Sequence, residues 1–117
     1  MRIEVRGRNV EVDDEIQQHV MKRFQRVGRQ VSELATLDVT LWEERNPANP
    51  DNQVAEATLR LKGITLHAKE ASPEMGHTVH ELAEDIRRQV KKHRALRRKR
   101  RQTRKLVNQM RGRTATP

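Results

Sequence analysis

The stretch that decides the fold is residues 55–90, AEATLRLKGITLHAKEASPEMGHTVHELAEDIRRQV. Ala55, Ala57, Leu59 and Leu61 alternate with Glu56, Thr58 and Arg60, the pattern of a strand with one dry face. Lys62-Gly63 supplies a short turn, and Ile64, Leu66 and Ala68 resume the alternation, so these two strands are expected to be antiparallel neighbours. At Ser72-Pro73-Glu74 the signals become those of a helix start: a capping hydroxyl, proline at the first helical position and an acid in the first turn. Met75, Val79, Leu82, Ala83, Ile86 and Val90 then draw an apolar stripe along one helical face.

Working outward, Leu37, Val39 and Leu41 alternate with Asp38, Thr40 and Trp42, which predicts another strand and, with the two above, an antiparallel meander. Residues 45–53, RNPANPDNQ, hold two Asn-Pro steps that disfavour helix and mark an exposed connection. At the start, Ile3 and Val5 face inward between Arg2, Glu4 and Arg6, until Gly7 and Asn9 break the strand. Asp13 is an acceptable N-cap followed by Asp14 and Glu15, and Ile16, Val20, Phe24, Val27 and Val31 make a helical stripe. Gly28 makes the end of that helix soft, between residues 27 and 31. The order β-α-β-β-β-α predicts an α+β fold: a two-layer sandwich, with a four-stranded sheet and both helices on one face.

The whole chain has 117 residues and a formal net charge of +9, but the charge is not evenly spread. Residues 1–86 hold eleven bases and all sixteen acids, a net −5, whereas residues 87–117 hold fourteen bases and no acid. Two regions are therefore expected: an α+β domain over 1–93 and a basic tail over 94–117, helical or disordered, that orders on a polyanion. No run approaches the roughly 18 apolar residues of a membrane span, and Arg2, Glu4, Arg6 and Arg8 forbid a signal-peptide apolar stretch, so a cytoplasmic location is expected. Without cysteine there is neither a disulfide framework nor a thiolate site.

Uncompensated positive charge of this density binds phosphates with high affinity and little sequence selectivity. The candidate contacts in the domain are Lys22, Arg23, Arg26 and Arg29 on the first helix and Arg87, Arg88, Lys91 and Lys92 on the second. The tail continues with Arg94, Arg97 and Arg98. If the helices pack side by side, these bases form one basic strip, with the acids in loops and on the sheet. The competing explanation is a merely solubilising tail, for which mixed signs would serve equally well. His77, His80 and Glu84 lie together on the second helix, but their spacing is that of no zincin and a third ligand is missing, so neither metal, cofactor nor catalytic residue is expected. Trp42, on the outward face of the sheet, is expected to cover an edge or to pack under the 45–53 loop rather than to form a stacking platform.

Several motifs together resemble one family. Gly7-Arg8-Asn9-Val10-Glu11-Val12, HVMKRFQRV at 19–27, GITLHAKE at 63–70, Pro73-Glu74-Met75 and Ile86 through Lys92 are similar, in order and spacing, to the bacterial ribosome hibernation-promoting factors, also called ribosome-associated translation inhibitors or protein Y. The resemblance covers residues 1 to about 93. It implies a non-enzymatic stress protein that lodges in the decoding channel of the small ribosomal subunit, excluding messenger and transfer RNA and protecting idle ribosomes. It also implies that Arg87, Arg88, Lys91 and Lys92, with Lys22 and Arg23, face ribosomal RNA. The partners so implied are the small subunit and its RNA, with no membrane, no small-molecule substrate and a monomer off the ribosome. The chain departs from the family at Gly76, where an aromatic is usual, in a longer 45–53 loop, and in having a basic tail where long members carry a ribosome-pairing domain. The alternative function is a general RNA- or DNA-binding chaperone acting through the tail alone.

Overall fold

The computed structural model describes residues 1–114, with side chains through residue 110; residues 115–117, the end of the expected tail, lie outside the described residues. In chain order the elements are β1 (Arg2–Gly7), α1 (Asp14–Arg23), α2 (Gln25–Gln30), β2 (Thr36–Glu43), β3 (Gln53–Leu61), β4 (Ile64–Ser72) and α3 (Met75–Thr114). The sheet order is β1-β2-β3-β4. β2, β3 and β4 form the antiparallel meander that their period predicts, with Leu37, Leu59 and Leu66 in one row and Val39, Ala57 and Ala68 in the next. β1 joins the other edge of β2 in parallel, Ile3 opposite Leu37 and Val5 opposite Val39. Parallel neighbours need a long crossover, and α1 with α2 supplies it.

Two glycines set the corners. Leu61 pairs with Ile64 across Lys62-Gly63, and Gly63 has φ 80, a conformation that L side chains rarely adopt. A Cβ on Gly7 would come within 2.2 Å of the Val10 carbonyl oxygen, so the chain can fold back after β1 only over a glycine. Asn9 then does more than break the strand. Its Nδ2 donates to the Glu43 carbonyl at 2.7 Å and its Oδ1 accepts from the Glu43 N–H at 2.8 Å, so a side chain extends the β1–β2 pairing.

Val20, Phe24 and Val27 from α1 and α2, the inward residues of the strands, and Val79, Leu82, Ile86 and Val90 from α3 form one core cluster. All the helices therefore lie on one face of the sheet, as expected for a two-layer sandwich. Phe24 is the one aromatic in this cluster and is fully buried. Each such side chain contributes about 1.5–3 kcal/mol by leaving water, so an aliphatic core of this size suffices for a small domain.

The structure corrects two boundaries. The first helix is not continuous to residues 27–31: it breaks at Phe24 (φ −89, ψ 1), whose N–H is shared between the carbonyls of Val20 and Lys22. The offset lets both Phe24 and Val27 reach the core, while Ile16 and Val31 at the ends of the expected stripe are only half-buried. The second long helix starts at Met75 rather than at Pro73, because Ser72 still belongs to β4. The Ser72 hydroxyl accepts the Glu74 N–H at 3.2 Å and lies 2.6 Å from the Thr78 hydroxyl, which also donates to the Gln53 carbonyl at 2.9 Å. These hydrogen bonds, centred on the buried Ser72 and Thr78, tie the helix start to β3.

Val90 is the last buried residue of α3. Beyond it the helix runs on to Thr114 with every described side chain exposed except the half-buried His93. Arg, Lys, Gln and Leu are good helix formers, and no glycine or proline interrupts them before Gly112. Forty residues at about 1.5 Å each make a rod far longer than the domain. The molecule accordingly extends 74 Å, with a radius of gyration of 19.4 Å where a compact chain of this length has about 13 Å.

Candidate nucleic-acid interface

The helical layer has a furrow between α1–α2 and α3, bracketed at both ends. At one end His19 Nε2 lies 3.2 Å from the Gly76 carbonyl oxygen. At the other, Gln30 and Val31 border a cleft shared with Val90, His93 and Arg94. The two helical runs therefore point the same way. Arg23 ends α1 and Arg26 lies in the first turn of α2, on either side of the break at Phe24, and by helical spacing Arg23 shares a flank with His19 and Arg26 with Gln30. By the same spacing Arg87, Lys91 and Arg94 lie on the opposing flank of α3, in line with Gly76 and Ala83. Arg23, Arg26, Lys91 and Arg94 are exposed, and Arg87 is half-buried with Nε 3.6 Å from Glu84 Oε2.

The remaining candidates sit apart from this group. Lys22 borders Met1, Ile3 and Gly28 on the β1 side of the layer, and Arg29 is exposed in the last turn of α2. Arg88 lies beside Glu70 at the β4 edge, with Lys92 one turn further on. That edge is fixed by Gln89, whose Nε2 donates to the His67 carbonyl at 2.7 Å and to Asp85 Oδ1 at 3.1 Å. Beyond the domain, Arg94, Arg97, Arg98 and Arg101 enclose a concavity of about 200 Å³ on the helix surface.

The acids are not confined to loops and sheet: Glu81, Glu84 and Asp85 occupy the earlier part of α3, facing Glu70 of β4 and Arg87. Burial first, and then repulsion and hydrogen bonding from Asp85 and repulsion from Glu81, hold the Glu70 carboxyl above the usual carboxylate range, with Arg88 opposing. One helix thus carries its acids nearer the N-terminus and its bases from Arg87 onward, the arrangement its dipole favours. The sorting leaves α3 beyond Arg87 as an exposed basic surface.

Trp42 is buried to 7% exposure on the outer face of the sheet. The Arg8 guanidinium lies 4.7 Å and the Lys69 ammonium 5.4 Å from its ring centroid, and its Nε1 donates to Glu44 Oε1 at 2.9 Å. The indole is covered, and two cations form part of that cover. Neither cation was legible as a partner, because the three residues come from β4, the end of β2 and the turn after β1. His77 meets only Glu81, at 3.9 Å, and among the described residues no three His, Asp or Glu side chains come together as a metal site. No helix is long and apolar enough to cross a membrane among the described residues.

A small α+β domain from which a long basic helix projects has the charge distribution expected of a polyanion-binding module. The particular family follows from comparison with known proteins: a family model described as Sigma 54 modulation protein / S30EA ribosomal protein matches residues 3–98, and the chain belongs to that family. Among curated relatives it is 27% identical over 101 residues to the ribosome hibernation promoting factor of Acinetobacter guillouiae, an alignment covering 82% of this chain and 89% of that one. Two solved structures share the fold. The N-terminal domain of Thermus thermophilus Protein Y aligns with a TM-score of 0.70 at 23% identity, over 80% of this chain and 99% of that one. A ribosomal subunit interface protein from Coxiella burnetii aligns with a TM-score of 0.67 at 21% identity, over 81% and 99%.

Proposed function

We propose that this protein is a ribosome hibernation factor that binds the small ribosomal subunit in its decoding channel, excluding messenger and transfer RNA and protecting idle ribosomes in the cytoplasm. It acts by occupancy and not by catalysis. Family membership and the curated relative's name support the ribosomal partner. The observation that supports the reading is the run of exposed bases along α3, where Arg94, Arg97, Arg98 and Arg101 enclose one concavity, with Arg23 and Arg26 exposed on the helices packed beside it. Structured RNA is held through phosphates, ribose hydroxyls and shape, which requires a basic surface of fixed geometry and no reacting group. Lys22, Arg29, Arg87, Arg88 and Lys92 serve as flanking contacts, and the helix beyond residue 93 follows the backbone outward.

The test is cosedimentation with small subunits. The variant R23E/R26E/K91E/R94E is expected to lose binding, and binding at the native level would sink the proposed surface. A chain ending after residue 93 separates this reading from a general chaperone acting through the tail. Retained, weaker binding that still competes with messenger RNA supports the ribosomal reading. Loss of nearly all binding supports the chaperone.

A further inference from the structure

Where α3 leaves the sheet, a cleft of about 570 Å³ opens between the end of α2, the start of β2 and the β3–β4 turn. Its floor is apolar: Val31, Ala35, Leu61 and Val90. Leu34 stands at its mouth with 91% of its surface in solvent, the most exposed large apolar side chain among the described residues. The walls are cationic. Lys62, Arg94 and Arg97 border it and no carboxylate does, while Arg60 is already engaged by Asp38. Gln30 also lines the cleft, and its Oε1 is the one buried side-chain oxygen or nitrogen among the described residues without a hydrogen-bond partner.

We propose that this cleft seats one unpaired nucleotide of an RNA strand, its base against the apolar floor and its phosphates on Lys62, Arg94 and Arg97. The inference rests on the RNA-binding reading above and adds a base-specific seat to it. Four observations point to a nucleotide. The volume is that of a small-ligand site. A base has apolar faces and polar edges, matching a floor of aliphatic carbons beside the polar side chains of Gln30, Ser32 and Thr36. Unstacked bases also settle against imidazole planes, which His93 provides in the wall. Lastly, Arg94 and Arg97 also belong to the arginine concavity on α3, so the cleft opens onto a continuous track for the phosphates on either side of the seated base. An acidic peptide with a leucine anchor would satisfy the floor and the charge but would have no use for that track.

The experiment compares, with the full chain, a single-stranded RNA about eight nucleotides long and an abasic sugar-phosphate strand of equal length, each titrated at several salt concentrations. The native protein is expected to bind the base-bearing strand about tenfold more tightly, with the same salt slope for both. The charge-neutral variants Gln30→Leu and Leu34→Ser are expected to shrink that gap below about threefold while leaving the abasic affinity unchanged. Leu34 is too exposed for its replacement to unfold the domain, which keeps the test valid if the Gln30 variant is unstable. A gap that persists in both variants, or no gap in the native protein, overturns the proposal while small-subunit binding stands. Saturable binding of free AMP or GMP that matches the strand reassigns the cleft to a free nucleotide. Displacement of the strand by an acidic, leucine-bearing peptide, abolished in Leu34→Ser, reassigns it to a protein partner. Failure of the native chain to bind either strand or small subunits removes the RNA-binding reading itself.

Discussion

Neutralising the furrow gives the sharpest quantitative test of how this protein grips RNA. In R23Q/R26Q/K91Q/R94Q four exposed bases on α1, α2 and α3 lose their charge, while the core residues Val27, Ala83 and Val90 are untouched. If these four and roughly as many along the arginine track each neutralise a phosphate, about eight ion pairs with RNA give a slope of log affinity against log salt near −6 for irregular RNA. Every phosphate left without its cation flattens that slope by about 0.7, so the variant should show roughly −3. At an ionic strength of about 0.15 M each of these ion pairs is worth about 0.6 log units, and four together about 200-fold, near 3 kcal/mol. The assay is filter binding or anisotropy with a ribosomal RNA fragment at several salt concentrations, with circular dichroism to show that the fold is kept. A variant slope within about one unit of the native slope, or a weakening of less than about fivefold, refutes the furrow as the principal RNA-binding surface.

Three further outcomes are expected. Glu70→Gln should raise thermal stability at neutral pH: because the folded state holds the Glu70 proton above its ordinary value of 4.5, the native protein loses stability as pH rises from that value through the folded one, and the variant escapes this loss, which melting curves against pH will show or deny. Arg8→Ala and Lys69→Ala should each cost about 0.5–1 kcal/mol and shift the emission of the single tryptophan to the red, as each uncovers one part of Trp42; unchanged emission in both would mean that the cations do not shield it. Thr78→Val should cost about 1–3 kcal/mol in urea unfolding, since the Gln53 carbonyl and the Ser72 hydroxyl lose a buried partner, and a cost below about 0.5 kcal/mol would contradict that account.

The path from sequence to site differs instructively between elements. β3, β4 and the first half of α3 were legible because their apolar period switches cleanly at Ser72, and a period states which face of an element is dry. The break at Phe24 was not, since Phe24 and Val27 continue one helical stripe in sequence and only the position of the core beneath them demands an offset. The basic candidates show the same limit. Charge counting found every one of them, but that Lys22 falls on the β1 side and Arg88 at the β4 edge depends on how α1 and α3 are rotated against the sheet. Asn9 was recognised as a strand breaker, yet its two hydrogen bonds to Glu43 arise from a residue 34 positions away.

By itself the sequence determined the order of elements, the identity of nearly all the core residues, and the separation of an acidic domain from a basic extension. These are properties of local spacing and composition, set by which groups prefer water. Only the tertiary structure decided that β1 lies parallel to β2, that Arg8 and Lys69 close over Trp42, that Gln89 reaches the His67 carbonyl, and that a cleft bordered by Gln30, Lys62 and Arg94 opens where α3 leaves the sheet. Each of those joins residues from distant parts of the chain, and which dry faces meet, at what rotation, is settled by packing the whole core at once rather than by any segment alone.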